Sequence, residues 1–577
     1  MKNLKLIILF TLFAQLFDAQ GKSDSLVIIS QKKSDYQIVI PAKPTKAEWD
    51  ASGVLQTYFY KMTGLSLPII YEYENRRSLK EIHVGNTADA GNASKGLGID
   101  DVIIGTKNDK VFISGGSRKG VIYSAYTLLS DVLGCRKFTK DLEYVPHKDV
   151  LKISKNINVK QSPSFDYRTT YFEDSLDPTY ADWNKLNYFF EDRLYNAHTF
   201  QVYVPAEKYF QSHPEYFALV DGKRNSAQLC LSNPNVYQII KEGLRKDMLK
   251  YPQYTYWSVS QNDAEMFCHC DDCNLKRRNG KDFSEILIPF VNKLATEFPN
   301  KIISTLAYHR SIEAPIYSNV SKNVEIMLCF THMDRRISLA TGDGNAKMFR
   351  DFLNAWKQKT DDIFAWDYIC NYNNTLSPFP NLPILQPNLQ YMKTRGIKKV
   401  FLNGIGNQKG EFSELKSYIV SKLLWNVNAD VNKLKKEFCD TYYQEASPDI
   451  LKYISILEKN ANSTMAIVDV WANPSLNKDN FLSQKNIENY KGILNNGLAK
   501  VKNKPDIYCR VLKEYASVEY AEIEIASQDS KRMNELGGEK KYKEKLLNFQ
   551  KNVKQANVLL MRNGEMPFET YLKSKQK

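Results

Sequence analysis

The chain has 577 residues, 43% of them hydrophobic and 25% charged, which excludes a disordered or fibrous protein and points to a globular one of two or three domains. Lys and Arg outnumber Asp and Glu by 79 to 65, a formal charge of +14. That excess is spread over helical stretches such as 432–436 and 540–543 without a zinc-finger, homeodomain or ribonucleoprotein signature, so nucleic acid is not an expected partner.

Lys2 and Lys5 precede an apolar run from Leu6 to Phe17 and then Asp18-Ala19-Gln20-Gly21. This predicts a signal peptide over 1–20 and an exported chain, periplasmic or secreted. The run is short of the roughly 20 apolar residues a bilayer span needs, and no later segment reaches that length. Residues 24–158 alternate strand-like runs (26–29, 36–40, 81–84, 110–113) with helical ones at 46–63 and 119–133, which predicts an α/β accessory domain. Pro44-Thr45 and Thr63-Gly64 supply start and stop signals for the first helix.

From 162 to 426 a strand-then-helix rhythm recurs. The candidate strands are 165–171, 199–204, 228–231, 254–259, 302–308, 324–330, 363–367 and 400–403, with helical patterns at 235–250, 283–298, 346–358, 385–394 and 411–424. Eight strands in this span match the size and period of a TIM (β/α)8-type barrel. A doubly wound sheet more often shows a Gly-rich turn after its first strand, and none is present. Residues 427–577 read as a helical domain, with Leu434, Phe438, Tyr442, Ile450, Tyr453 and Leu457 at recurring apolar positions. The fold class is therefore α/β, in three parts.

Barrel chemistry sits where strands end. Asp263 and Glu265 follow the fourth candidate strand, His332 and Asp334 follow the sixth, and Asp367 closes the seventh within Trp366-Asp367-Tyr368. Glycoside hydrolysis needs one protonated carboxyl and a second carboxylate. The reading takes Asp263 as general acid and Asp367 as its partner, with Glu265 and Asp334 in reserve; an ion pair or helix cap is the competing role for each. Arg168, His309, Arg310, His332, Trp366 and Tyr368 are the substrate-binding candidates. Arg forks match a uronate carboxylate, or else tie barrel strands together. The 35 Tyr, 28 Phe and 7 Trp suit sugar faces or simply fill the core.

Cys268-His269-Cys270-Asp271-Asp272-Cys273 places three thiols in six residues, and Cys230 stands on the preceding candidate strand. Cys230, Cys268, Cys270 and Cys273 suit a structural zinc or, in an exported chain, disulfides. The other five cysteines stand alone in apolar runs. No His-Glu-x-x-His string exists, so no cofactor is expected for catalysis.

Two resemblances add to this. The string Ser117-Arg118-Lys119-Gly120-Val121-Ile122-Tyr123-Ser124-Ala125-Tyr126, with Leu133-Gly134-Cys135-Arg136-Lys137-Phe138 and Val145-Pro146, resembles the end of the N-terminal domain of alpha-glucuronidases and beta-hexosaminidases. His213-Pro214-Glu215-Tyr216-Phe217, Gln228-Leu229-Cys230-Leu231-Ser232-Asn233-Pro234, the 261–273 segment, Trp366-Asp367-Tyr368 and Leu423-Leu424-Trp425 resemble the bacterial domain of unknown function 4838. Together they imply a glycoside-hydrolase-like barrel acting on a complex, uronic-acid-containing polysaccharide. Glycoside hydrolase family 67 is similar in its acid after the fourth strand and carboxylates after the sixth and seventh; hexosaminidases place an adjacent Asp-Glu pair after the fourth, where this chain has Asn262-Asp263-Ala264-Glu265. The rival is a non-catalytic carbohydrate-binding protein on the same barrel. A third class, metal-dependent hydrolysis of another bond, needs an open metal coordination position. The sugar, its linkage, the stereochemical outcome and the oligomeric state are not encoded in any motif.

Overall fold

The computed structural model describes residues 24–74, 79–91, 93–277, 283–331, 333–562 and 566–575. The signal-peptide segment and His332 lie outside the described residues. Two compact units divide the chain. One takes residues up to 97 with 102–134 and 145–160, and the other takes 98–101, 135–144 and everything from 161.

The first unit is built on a six-stranded sheet in the order Asn158–Gln161, Val102–Lys107, Lys110–Gly115, Glu81–Val84, Gln37–Ile40, Ile69–Tyr71. Its helix Lys46–Thr63 starts and stops where the sequence signals stand. Thr45 and Glu48 close a reciprocal capping box, and Gly64 ends the helix at φ 75°, a conformation that only glycine adopts without strain. Ala51, Leu55, Phe59 and Met62, three or four residues apart, are its fully buried stripe.

The second unit contains a curled parallel sheet of six strands: β1 (Tyr167–Phe172), β2 (Tyr256–Ser258), β3 (Ile302–Ala307), β4 (Val324–Phe330), β5 (Ile363–Tyr368) and β6 (Lys399–Gly406). Their order is β1-β6-β5-β4-β3-β2, with every neighbouring pair parallel. All seven residues of β4 are buried, the pattern of a parallel strand covered on both faces. Below it Glu325 of β4 joins Arg193 (2.8 Å) and Lys399 of β6 (2.8 Å) in a buried ion network. At the other end of β6, Gly406 has φ 63° and a Cβ there would lie 2.7 Å from the Tyr171 ring, so the register shift that pairs it with Phe172 of β1 requires glycine.

This is a half-barrel, not the eight-stranded barrel expected. Residues 199–204 form a short helix, Phe200–Tyr203, in place of the second strand. Phe200, Tyr203 and Val204 are buried while Gln201 and Val202 are exposed, so the run follows the helical period, which so short an apolar segment does not announce. Residues 228–231 in turn fall at the end of an antiparallel hairpin, Phe217–Val220 with Lys223–Leu229. Asp221 and Gly222, both at positive φ (48° and 75°), make its two-residue turn. Among the described residues, the sheet is continued beyond β2 by a single parallel bridge from Arg193 to Tyr256.

After Trp425 the chain is helical through Val431–Tyr442, Ser447–Asn462, Gln484–Lys500 and Pro505–Gln528. Phe438, Tyr443, Ile450, Tyr453 and Leu494 belong to the same continuous core as the strands of the parallel sheet. No described helix is long and apolar enough to cross a membrane.

Candidate active site

A cavity of about 290 Å³ opens at the carboxyl ends of the parallel strands. Asp263 after β2, Tyr308 after β3, Cys329 of β4, Trp366 and Tyr368 of β5 and Asn403 of β6 line it, joined by His198, Tyr372, Asn373 and Trp471 from loops and by Arg562 from the short strand Leu560–Arg562. The strand-end rule thus located Asp263, Trp366 and Tyr368. Asn403 was legible by the same rule, since it ends a candidate strand. Trp471 and Arg562 come from beyond the parallel sheet, where no motif marks them.

The Asp263 segment is held on both sides. Gln261 is buried and donates from Nε2 to Ser311 Oγ (2.7 Å) and to the Tyr308 carbonyl (3.2 Å). Asn262 donates to the Ala227 carbonyl (3.0 Å) and accepts from the Gln201 N–H (2.8 Å), while Gln228 Nε2 donates to the Asn262 carbonyl (2.7 Å). These bonds leave Asp263 projecting, its side chain 65% exposed. Tyr308 donates its hydroxyl proton to Asp263 Oδ1 (3.2 Å), and His309 Nε2 lies 3.8 Å from the same oxygen. Burial, and then the Asp263 charge, push the Tyr308 phenol well above its ordinary range, so it stays a neutral donor. Burial does the same to the Cys329 thiol and the Tyr368 phenol.

Trp366 and Tyr368 rings stack at 6.4 Å, Tyr372 meets Tyr368 edge-on at 5.5 Å, and Trp471 lies 5.5 Å from Tyr372. The Trp366 indole Nε1 is buried with no hydrogen-bond partner among the described residues. A buried donor in a cavity wall is costly unless something bonds to it, and a ligand hydroxyl suits it.

The remaining candidates lie elsewhere. Asp367 is 4% exposed and does not line the cavity. Its Oδ1 is engaged by Arg335 and by the Tyr368 N–H (2.8 Å), because the alternation of a strand sends it to the opposite side from Trp366 and Tyr368. The structure therefore does not bring Asp263 and Asp367 to one cavity wall. Asp334 accepts from the backbone N–H of Arg336 (3.0 Å) and of Val468 (3.2 Å), and its Oδ2 pairs with the Arg336 guanidinium (3.1 Å), the work of a loop brace. Arg168 is corrected from a substrate contact to a tie: it is fully buried and bonds Asp100 (2.8 Å) and the carbonyls of Lys185 (2.9 Å) and Phe165 (2.7 Å). Arg310 is exposed and outside the lining. Glu265 is exposed and outside the lining, two residues on from Asp263, and its charge acts on Tyr308.

A larger cavity, about 430 Å³, lies between the ends of β1 and β6 and the C-terminal helices. Its wall holds Asp174, whose carboxyl is pushed up to about 8 by burial and then by Glu414, against a hydrogen bond from the Lys140 N–H (2.8 Å).

The sulfurs of Cys230, Cys268, Cys270 and Cys273 all lie within 4.8 Å of one another, and none of the nine cysteines is in a disulfide.

With this geometry in hand, the comparisons with known proteins bear on family and fold. A family model described as "Domain of unknown function (DUF4838)" matches residues 137–455, and the chain belongs to that family. No curated protein matches its sequence. Among solved structures it is similar to a family GH115 4-O-methyl-alpha-glucuronidase with specificity for decorated arabinogalactans, at 12% identity and TM-score 0.57 over 95% of this chain and 79% of that one. It is also similar to a GH138 enzyme targeting pectin rhamnogalacturonan II, at 11% identity and TM-score 0.52 over 94% of this chain and 78% of that one.

Proposed function

We propose that this chain is a glycoside hydrolase that removes a terminal sugar from a complex, uronic-acid-containing polysaccharide, with Asp263 exchanging the proton of the glycosidic oxygen. One observation carries the reading: Asp263 projects into an aromatic-walled cavity at the strand ends, hydrogen-bonded to a neutral Tyr308. The cavity volume is at the low end of the roughly 300–1,000 Å³ of small-molecule sites, which fits one terminal ring better than a run of sugar subsites. Trp366, Tyr368 and Trp471 supply faces for that ring, Asn403 and Asn373 hydroxyl partners, and Arg562 a cation for a uronate. Glu265, exposed two residues on from Asp263, takes the second-carboxylate role that Asp367 is too buried to fill. No cofactor enters these steps. An N-terminal signal peptide would bring the enzyme to polysaccharide outside the cytoplasm.

A second reading, a carbohydrate-binding protein without catalysis, is favoured by a specific fact: Asp263 is the one carboxylate among the described cavity-lining residues. The test is a panel of arabinogalactan, pectic and amino-sugar oligosaccharides, scored for released sugar and, in parallel, for binding by calorimetry. Release by the wild type, with kcat/KM cut about 10²–10⁴-fold in Asp263→Asn, supports hydrolysis through Asp263. Binding without release establishes the second reading, and release undiminished in both Asp263→Asn and Glu265→Gln removes the assigned acids.

A further inference from the structure

The cysteine knuckle takes no part in the proposed chemistry, yet it is the densest group of ligating atoms in the second unit. Cys230 Sγ lies 3.6 Å from Cys270 Sγ and 3.9 Å from Cys273 Sγ. A zinc ion bonds thiolates at about 2.3 Å, so a regular tetrahedron of four sulfurs has edges of about 3.8 Å. The measured spacings match that edge. Two disulfides would bring each sulfur to about 2.05 Å of a single partner, whereas here Cys230 is near-equidistant from two.

We propose that Cys230, Cys268, Cys270 and Cys273 bind one structural zinc ion as a four-thiolate site, and that this metal pins the segment carrying Asp263 to the neighbouring hairpin. Binding converts four thiols to thiolates and releases their protons to solvent, leaving a net charge of −2 on the site. Four protein ligands close the tetrahedron and leave no open position, so the metal is not a catalyst. The surroundings fit ligands held in place: the Leu219 N–H donates to Cys268 Sγ (3.3 Å), and Ser232 Oγ sits 3.1 Å from Cys273 Sγ. Such outer hydrogen bonds orient thiolate ligands.

The topology shows what the ion would do. Cys230 immediately follows the hairpin that stands where a barrel strand was expected, and the other three ligands follow Asp263 and Glu265 by only a few residues. From the same hairpin Gln228 grips Asn262 and Ala264, and the Leu219 carbonyl accepts from the His269 N–H (2.8 Å). Among the described residues no sheet ladder joins hairpin to loop, so these few bonds and the metal hold the loop.

The full chain, purified without chelator, should contain one equivalent of zinc by elemental analysis. Exchange into cobalt(II) should give the thiolate charge-transfer and tetrahedral d–d absorption of a four-sulfur site, and both Cys230→Ser and Cys273→Ser should lose the metal. Where those variants do not fold, the cobalt spectrum of the unaltered chain decides. Zinc-free protein with the mass of two disulfides, or four free thiols that take up neither metal, overturns the site. For the pinning role, chelation should speed amide exchange at Leu219 and His269 several-fold; unchanged protection there overturns it. None of these measurements depends on glycan turnover, so failure of the hydrolase reading leaves them intact.

Discussion

Asp263 and Asp367 both follow apolar strand residues, and burial alone separates their roles. Asp263 is exposed at the mouth, so its replacement by Asn should leave folding unchanged while activity falls. Asp367 is sealed against Arg335, and Asp367→Asn strands a buried guanidinium, which costs about 3–5 kcal/mol. Urea denaturation should show that loss as a lower midpoint at constant slope. An unchanged midpoint with collapsed kcat would return Asp367 to the catalytic pair. Asp174 tests the pH dependence of one residue. Its carboxyl is raised from 3.8 to about 8, so its favourable contribution is fully present below the unfolded value and is lost as pH rises toward the folded one. Stability of the wild type relative to Asp174→Asn should therefore fall with a slope of about 1.4 kcal/mol per pH unit across that window. Equal pH dependence of the two proteins would refute the buried, protonated carboxyl.

Among elements, all six strands of the parallel sheet, β1 through β6, begin and end within three residues of expectation, and β4 shows the plainest signal because a parallel strand covered on both faces is apolar throughout. Period-2 and period-4 readings of residues 199–204 differ only in whether Val202 or Tyr203 faces the core, and only packing chooses. The hairpin at 217–229 did have a local sign, Asp221-Gly222, which the strand-helix rhythm overrode. Strands β4 and β6 are also tied by charge. Burial pushes the Glu325 carboxyl up, but Arg193 and Lys399 outweigh it and hold it down at about 2. A depressed carboxyl stabilises above its unfolded pKa of 4.5 and loses that contribution as pH falls toward 2. Glu325→Gln should be less stable than wild type at neutral pH by about 3 kcal/mol, with the gap closing in acid. A gap that persists at pH 2 would show that packing rather than charge is lost.

For the second unit as a whole, the core is continuous from the parallel sheet through the C-terminal helices, and Trp471 and Arg562 complete the cavity. A chain ended after Trp425 should therefore be insoluble or molten, with exposed apolar surface detectable by dye binding, and should bind no glycan. A soluble, cooperatively folding truncation would show that the sheet stands alone.

By itself the sequence determined the limits of the Lys46–Thr63 helix with its caps, the parallel strands to within three residues, the cysteine cluster and Asp263 beyond a strand end. Each of these is written in a local pattern of a few residues, where backbone sterics and periodic burial act. Tertiary structure alone decided that the barrel is half closed, that Asp367 and Arg168 are sealed into ion pairs, and that residues distant in the chain wall the cavity. Those outcomes depend on which side chains lose contact with water, and that is set by the packing of segments tens to hundreds of positions apart.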